Sequence, residues 1–173
     1  MAKFDVDIYT DGGAAPKNPG IGGWGAILRC EKIARETELY GGYEHTTNNR
    51  MELMAVIEAL NSLKPDNVAS VTIYADSQYV VNAFNQKWIV SWKRNNWKNG
   101  TLLNLDLWKQ LSTLVDKYSP KFVWVKAHAG HVFNERVDAL CAVGRKGQLL
   151  RDDEYMKTVE AKEAEPKQTE LPL

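Results

Sequence analysis

Asp11, Glu52, Asp76 and Asp138 are four carboxylates in places where structural carboxylates rarely go. Asp11 closes an alternating apolar pattern, Phe4, Val6 and Ile8, and precedes Gly12-Gly13; Asp76 follows a second such pattern, Val71 and Ile73, and precedes Ser77. Both patterns are those of strands, and α/β sheets gather their chemistry at the carboxyl ends of strands. Glu52 falls on a helical stretch with the apolar stripe Val56, Ala59, Leu60 and Leu63, which puts the carboxylate on the inward face; Asp138, beside Cys141 and Ala142, is placed in the same way. A lone Asp is more often a helix cap or a surface charge. Four carboxylates converging on a dry surface repel one another unless a cation neutralises them, and hard oxygen donors suit Mg²⁺ or Mn²⁺. The pattern predicts a divalent-metal site.

Other residues nearby carry chemistry of their own. His128 lies in the loop Lys126-Ala-His-Ala-Gly; an imidazole is a side chain that can shuttle a proton, although a loop histidine is more often simply solvated. Trp88, Trp92 and Trp97 are interleaved with Lys93, Arg94 and Lys98, and residues 87–109 hold five bases against one acid, Asp106. Rings mixed with cations suit a nucleic acid, the rings meeting sugars or bases and the charges meeting phosphates. Trp88 and Trp92, four residues apart, equally suit a helix core; both readings hold if the rings anchor a protrusion whose tips carry the charge. Asn18, Asn48, Asn49 and Gln78 are short amides beside the carboxylates. Such amides commonly cap and turn, and they can also donate to and accept from a ribose 2′-hydroxyl.

The elements that must position these groups follow from periodicity. Alternation predicts strands near 3–10, 23–30 and 34–43, with Gly-rich residues 12–25 forming a loop and hairpin approach. A helix over 48–63 ends at Lys64-Pro65, and then come a strand near 69–75, a short helix near 77–85, a helix near 103–117, a strand from Phe122 to Val125 and a helix over 132–146. A three-strand antiparallel meander followed by parallel strands alternating with helices makes a five-stranded mixed sheet flanked by helices, an α/β fold.

At 173 residues, 44% hydrophobic and 25% charged, the chain has the bulk of one soluble globular domain. No apolar run approaches the ~20 residues that span a bilayer, and residues 1–5 lack a signal peptide's apolar stretch. Cys30 and Cys141, far apart in apolar stretches, read as reduced core residues of a cytosolic protein. The net charge of zero hides an asymmetry: residues 151–173 carry seven acids against four bases, which leaves the first 150 residues at +3. The composition predicts a catalytic domain over 1–148 and a disordered acidic tail over 149–173.

Six segments, Ile8-Tyr-Thr-Asp-Gly-Gly13, Asn18-Pro-Gly20, Thr46-Thr-Asn-Asn-Arg-Met-Glu-Leu53, Asp76-Ser-Gln-Tyr79, Trp124-Val-Lys-Ala-His-Ala-Gly-His131 and Asn134-Glu-Arg-Val-Asp138, resemble type 1 ribonuclease H of the bacterial kind with a basic handle, in order and in spacing. The resemblance implies the ribonuclease H-like fold and an endoribonuclease that cuts the RNA strand of RNA–DNA hybrids with two Mg²⁺ ions, Mn²⁺ substituting, to leave 5′-phosphate and 3′-hydroxyl ends. It implies that Asp11 bridges both metals, that Glu52 and Asp76 complete the first site, and that Asp138 belongs mainly to the second. His128 matches the mobile catalytic-loop histidine, with Ala127 where the family usually has Gly, and His131 a second, structural one. Asn18, Asn48 and Gln78 fall at the hybrid's minor groove, and Thr47 and Asn104 at a pocket for a DNA phosphate, with His45 where Arg is common. The handle, with Trp88, Trp92, Lys93, Arg94, Trp97 and Lys98, is shortened at Asn99-Gly-Thr-Leu-Leu. The implied setting is a cytoplasmic monomer acting on replication primers and R-loops. Competing readings are an integrase or junction resolvase of the same superfamily, and a catalytically dead hybrid-binding module, which would gain nothing from unneutralised like charges. Finally, Gln168, Leu171 and Leu173 resemble the short peptide by which bacterial replication proteins dock on the DNA sliding clamp.

Overall fold

The sheet is built outward from one long strand. In the computed structural model, which describes residues 2–165, β1 (Phe4–Ala14), β2 (Gly20–Cys30) and β3 (Arg35–Thr46) form an antiparallel meander, and β4 (Val68–Ala75) and β5 (Lys121–Trp124) add in parallel beside β1. The order is β5-β4-β1-β2-β3-β6, where β6 (Leu149–Leu150) is a two-residue strand pairing with Gly42 and Tyr43. The sheet therefore has six strands, one more than the hydrophobic pattern predicts; a two-residue strand is too short to show a period.

Alternation along β1 divides the interior. Ile8 joins the main core with α1 (Asn48–Asn61), α2 (Gln78–Asn85) and α5 (Leu105–Tyr118), where Trp108 is fully buried. Tyr9 points to the other face and packs with Ile27 against Val137 and Leu140 of α6 (Val132–Lys146). Thr47 starts α1 by accepting a hydrogen bond from the Arg50 amide at 3.2 Å. The helix is then buried almost all round, from Met51 through Leu60, between sheet and α5, so the single apolar stripe expected of it understates its burial. Among the described residues no helix is long and apolar enough to cross a membrane.

The segment after α2 is a short helix, α3 (Trp88–Arg94), and a single turn, α4 (Asn96–Gly100), in which Trp97, Lys98 and Asn99 take left-handed backbone angles. Trp92 packs edge-on against Trp108 with centroids 5.0 Å apart, and Trp88 lies 6.4 Å from Trp92, so the rings do root the protrusion while Lys98 and Arg94 stay exposed.

The expected boundary at 148 is corrected by residues 149–164. Instead of a disordered tail from 149, the chain adds β6 and then α7 (Asp153–Ala164). The reason lies in a charge cluster that composition alone disguises. Arg50, on α1, is buried and bidentate twice over: Nη1 and Nη2 meet Asp106 at 2.8 Å each, and Nε and Nη2 meet Asp152 at 2.7 and 2.9 Å. Asp152 also accepts from the Thr46 hydroxyl at 2.9 Å and from the Tyr155 amide at 3.3 Å, capping α7. Burial works against the Asp106 carboxylate, yet the guanidinium's hydrogen bonds and charge more than offset it and hold its pKa below the usual range. Residues 166–173, and with them Gln168, Leu171 and Leu173, lie outside the described residues.

Arg50→Ala should cost roughly 3–5 kcal/mol, because it strands two carboxylates against the core. Urea unfolding measures the loss, and amide exchange along 153–164 should accelerate more than exchange in β1. A loss under about 1 kcal/mol would show that the cluster does not hold α7 in place.

Candidate active site

Three of the four predicted carboxylates meet where β1 runs past its parallel neighbour. The last β1–β4 pair is Thr10 with Ala75. Asp11 is the next residue on β1, which continues to Ala14 against β2, so it lies inside a strand yet at the end of the parallel pair. Asp76 is the first residue beyond β4. Glu52 comes from the first turn and a half of α1, which passes so close to β1 that a Cβ at Gly12 would collide with the backbone of Met51 and Glu52. One oxygen from each of Asp11, Glu52 and Asp76 lies within 4.8 Å of the others. Asp138 lines the same cleft of about 160 Å³ but stays outside this group. It is exposed, not inward-facing as its helical spacing suggests: Val137, Leu140 and Cys141 take the buried face of α6.

The charges are held under tension. Burial first, then the charge of Asp76, push the Asp11 carboxyl up to about 7, against the pull of the Gly12 amide that donates to it at 2.8 Å. Glu52 is driven well above the carboxylate range by burial and by Asp11 and Asp76, and it shares a hydrogen bond with Asp11. Burial and Asp138 raise Asp76, while His128 and a hydrogen bond from Asn134 pull it back. Such a donor set, all hard oxygens with protons standing in for missing positive charge, fits a divalent cation.

The surroundings sort the remaining expectations. His128 lies on the cleft wall in an exposed loop at φ 54°. Its loop is tied at both ends: the Trp124 indole donates to the Asp76 carbonyl at 3.1 Å, and the His131 ring packs on Tyr9 with centroids 5.8 Å apart. Asn18 accepts from the Asn48 amide at 3.1 Å, and the Asn48 side chain accepts from Ala14 at 2.7 Å, so this amide pair braces the β1–β2 turn against α1. Thr47, Asn48, Asn49 and Asn104 line a second, larger groove beside the cleft, whereas Gln78 is exposed at the start of α2. Trp88, Trp92, Lys93, Arg94, Trp97 and Lys98 belong to neither; they sit on the separate protrusion, and Lys93 pairs there with Asp116 at 3.2 Å.

Two residues that the sequence reading quoted were given no role there. Asn134 is buried, lines the cleft with Asp76 and helps to pull that carboxyl's pKa back down; its one-turn offset from Asp138 was the available signal. Trp124 reads as the end of a strand, and nothing local announces that its indole reaches the neighbouring strand's exit.

Comparison with known proteins points to one family. The chain matches the RNase H family model over residues 3–146. It is 46% identical over 156 residues to the ribonuclease H of Nitratidesulfovibrio vulgaris strain DP4, covering 88% of this chain and 97% of that one. A crystal structure of a type 1 ribonuclease H with the type 2 active-site motif superposes with a TM-score of 0.74 at 25% identity, covering 100% of this chain and 90% of the other. A further crystal structure, of a ribonuclease H1 in complex with an RNA/DNA hybrid, has a TM-score of 0.60 at 22% identity, covering 87% and 99%.

Because Asp11 binds its proton more tightly folded than unfolded, unfolding releases protons between the ordinary carboxylate pKa and about 7, and metal-free stability falls as pH rises through that window. Asp11→Asn should therefore stabilise the protein in chelator at pH 8, by on the order of 1–2 kcal/mol, with the gain vanishing near pH 4. Denaturant midpoints at the two pH values check it; a gain equal at both would show that the charge of Asp11 is not what strains the apo site.

Proposed function

The chain belongs to the ribonuclease H family, and from that premise we propose that it hydrolyses the RNA strand of RNA–DNA hybrids at Asp11, Glu52, Asp76 and Asp138, leaving 5′-phosphate and 3′-hydroxyl ends. The observation that carries this reading is the meeting of Asp11, Glu52 and Asp76 within 4.8 Å, in a cleft too charged to stay dry and unneutralised. Two divalent ions bound there, Mg²⁺ with Mn²⁺ as substitute, would activate water and stabilise the leaving alkoxide. Asp11, Glu52 and Asp76 would hold one ion, and Asp138, at the rim, would serve the second together with Asp11.

The other residues position and exclude. Asn134 orients the Asp76 carboxylate, and Trp124 holds the backbone at that strand end. His128, on a loop open to solvent at the cleft wall, would accept or deliver a proton as water enters and product leaves. The amides of Asn18, Asn48, Asn49 and Gln78 suit a 2′-hydroxyl, which gives preference for RNA at the cut strand. Trp88, Trp92 and Trp97 with Lys93, Arg94 and Lys98 take the DNA strand on the protrusion, and Thr47 with Asn104 takes a phosphate of it. Buried, unbridged Cys30 and Cys141 accord with a reducing cytoplasmic setting, where primers and R-loops are the natural hybrids. Gln168, Leu171 and Leu173 would dock the enzyme on the sliding clamp and raise its effective concentration at new DNA.

A uniformly labelled RNA–DNA hybrid should be cut in Mg²⁺ while duplex DNA, duplex RNA and four-way junctions are left whole. Asp76→Asn should lower the rate at saturating Mg²⁺ by about a hundredfold or more, and His128→Ala should slow it by a smaller factor. Retention of more than about a tenth of the rate by Asp76→Asn would remove that residue from the machinery.

A fluorescent peptide of residues 160–173 should bind the host's clamp on the order of micromolar. Equal binding by a peptide carrying Gln168→Ala and Leu171→Ala would overturn the docking.

A further inference from the structure

The larger groove, about 840 Å³, has three walls: the first turn of α1 with Thr47 and Asn48, the stretch from Gly100 to Asp106, and α7. On α7 the groove-facing residues are Glu154, Tyr155, Thr158 and Lys162, the spacing of one helical stripe. Its acids are already engaged. Asp106 is held by Arg50, and Glu154 is bonded to Lys157 at 2.6 Å. Two exposed lysines remain, Lys109 on the α5 wall and Lys162 on α7, each without a carboxylate partner among the described residues. Thr158 spends its hydroxyl proton on the Tyr155 carbonyl, and Lys162 is the cationic α7 side chain that lines the groove.

We infer that α7 is part of the nucleic-acid surface, and that Lys162, which lines the same groove as Lys109, takes a backbone phosphate of the strand gripped at Thr47 and Asn104. This rests on the hybrid-cleaving function proposed for the chain. The occupant follows from continuity and charge: the candidate phosphate residues Thr47 and Asn104 line the same groove, and among the described residues the charged side chains lining it that have no ion-pair partner are Lys109 and Lys162. Lys162 lies seven residues beyond Tyr155, about 10 Å farther along the helix axis, which lengthens the track without widening the cleft. The helix is held rigidly enough to count as a wall. Asp152 caps it and ties it to Arg50 and Thr46, and the Tyr155 ring lies 5.7 Å from His45 and 5.9 Å from the Arg50 guanidinium.

The test is the salt dependence of binding of a labelled RNA–DNA hybrid to the full chain, with kcat and KM measured in parallel. Lys162→Ala should weaken binding about threefold to tenfold at 0.1 M salt and reduce the slope of log K against log salt by roughly one, with kcat unchanged within about twofold. Lys162→Arg should keep the slope, and removing Lys109 together with Lys162 should reduce it by roughly two. Lys32→Ala, on the turn between β2 and β3 at the far end of the sheet, removes the same unit charge and should leave the slope nearly intact. A Lys162→Ala slope and affinity matching those of Lys32→Ala would overturn the α7 contact while hybrid cleavage stands. Failure of the unsubstituted chain to bind or cut the hybrid would overturn the functional reading, and the contact with it.

Discussion

The closeness of β1 to α1 at Gly12 is the constraint on which the site depends. A side chain there would strike the peptide between Met51 and Glu52, so only glycine lets the helix settle low enough for Glu52 to reach Asp11. The same device recurs on the opposite face. Gly23 and Gly25 of β2 and Gly42 of β3 leave room for the backbone of α6 around Val137, Cys141 and Gly144. With both helices seated on bare strand, Asp76 shares one cleft with Asp11, with Glu52 of α1 and with Asn134 and Asp138 of α6. Like charges are assembled by hydrophobic packing elsewhere in the core, which supplies what their mutual repulsion removes.

A second assembly, centred on Arg50, works with opposite charges and a different purpose. Burying one guanidinium between two carboxylates is a poor source of net stability compared with apolar packing, since desolvation consumes much of the attraction. Its value is positional. Four short bonds fix α1, the start of α5 and the start of α7 against one planar group, and they bring the three segments together at the groove. Asn104, which accepts from Arg50 at 3.5 Å and donates to the Tyr79 hydroxyl at 3.1 Å, is oriented by the same arrangement.

Much of this was legible in the residues. Strand alternation located Asp11 and Asp76, because a half-buried strand must obey period two, and the breaks at Gly12 and Ser77 marked where pairing changes. Helical spacing was a weaker guide. It placed Asp138 inward when one residue's rotation put it at the rim, and it could not reveal that α1 is covered on nearly all sides. The segment after 148 misled for a physical reason: a charged, Ala-containing stretch looks solvated, and its anchor is a single aspartate whose partner lies 102 residues earlier. Long-range pairings of this kind, like the reach of Trp124 to Asp76, leave no local period to read.

The two margins of the sheet are unlike its middle. β5 is four residues long and β6 two, while β3 is lined beyond β6 by Arg35, Glu36 and Glu38, with Arg136 bridging the two glutamates at 2.9 and 2.8 Å. A long uncovered border of unpaired amides and carbonyls would recruit another chain's strand, and abundant protein would then precipitate as fibrous aggregate. Stub strands and a charged border deny that template, so the molecule should remain dispersed at high concentration even though its formal charge sums to zero.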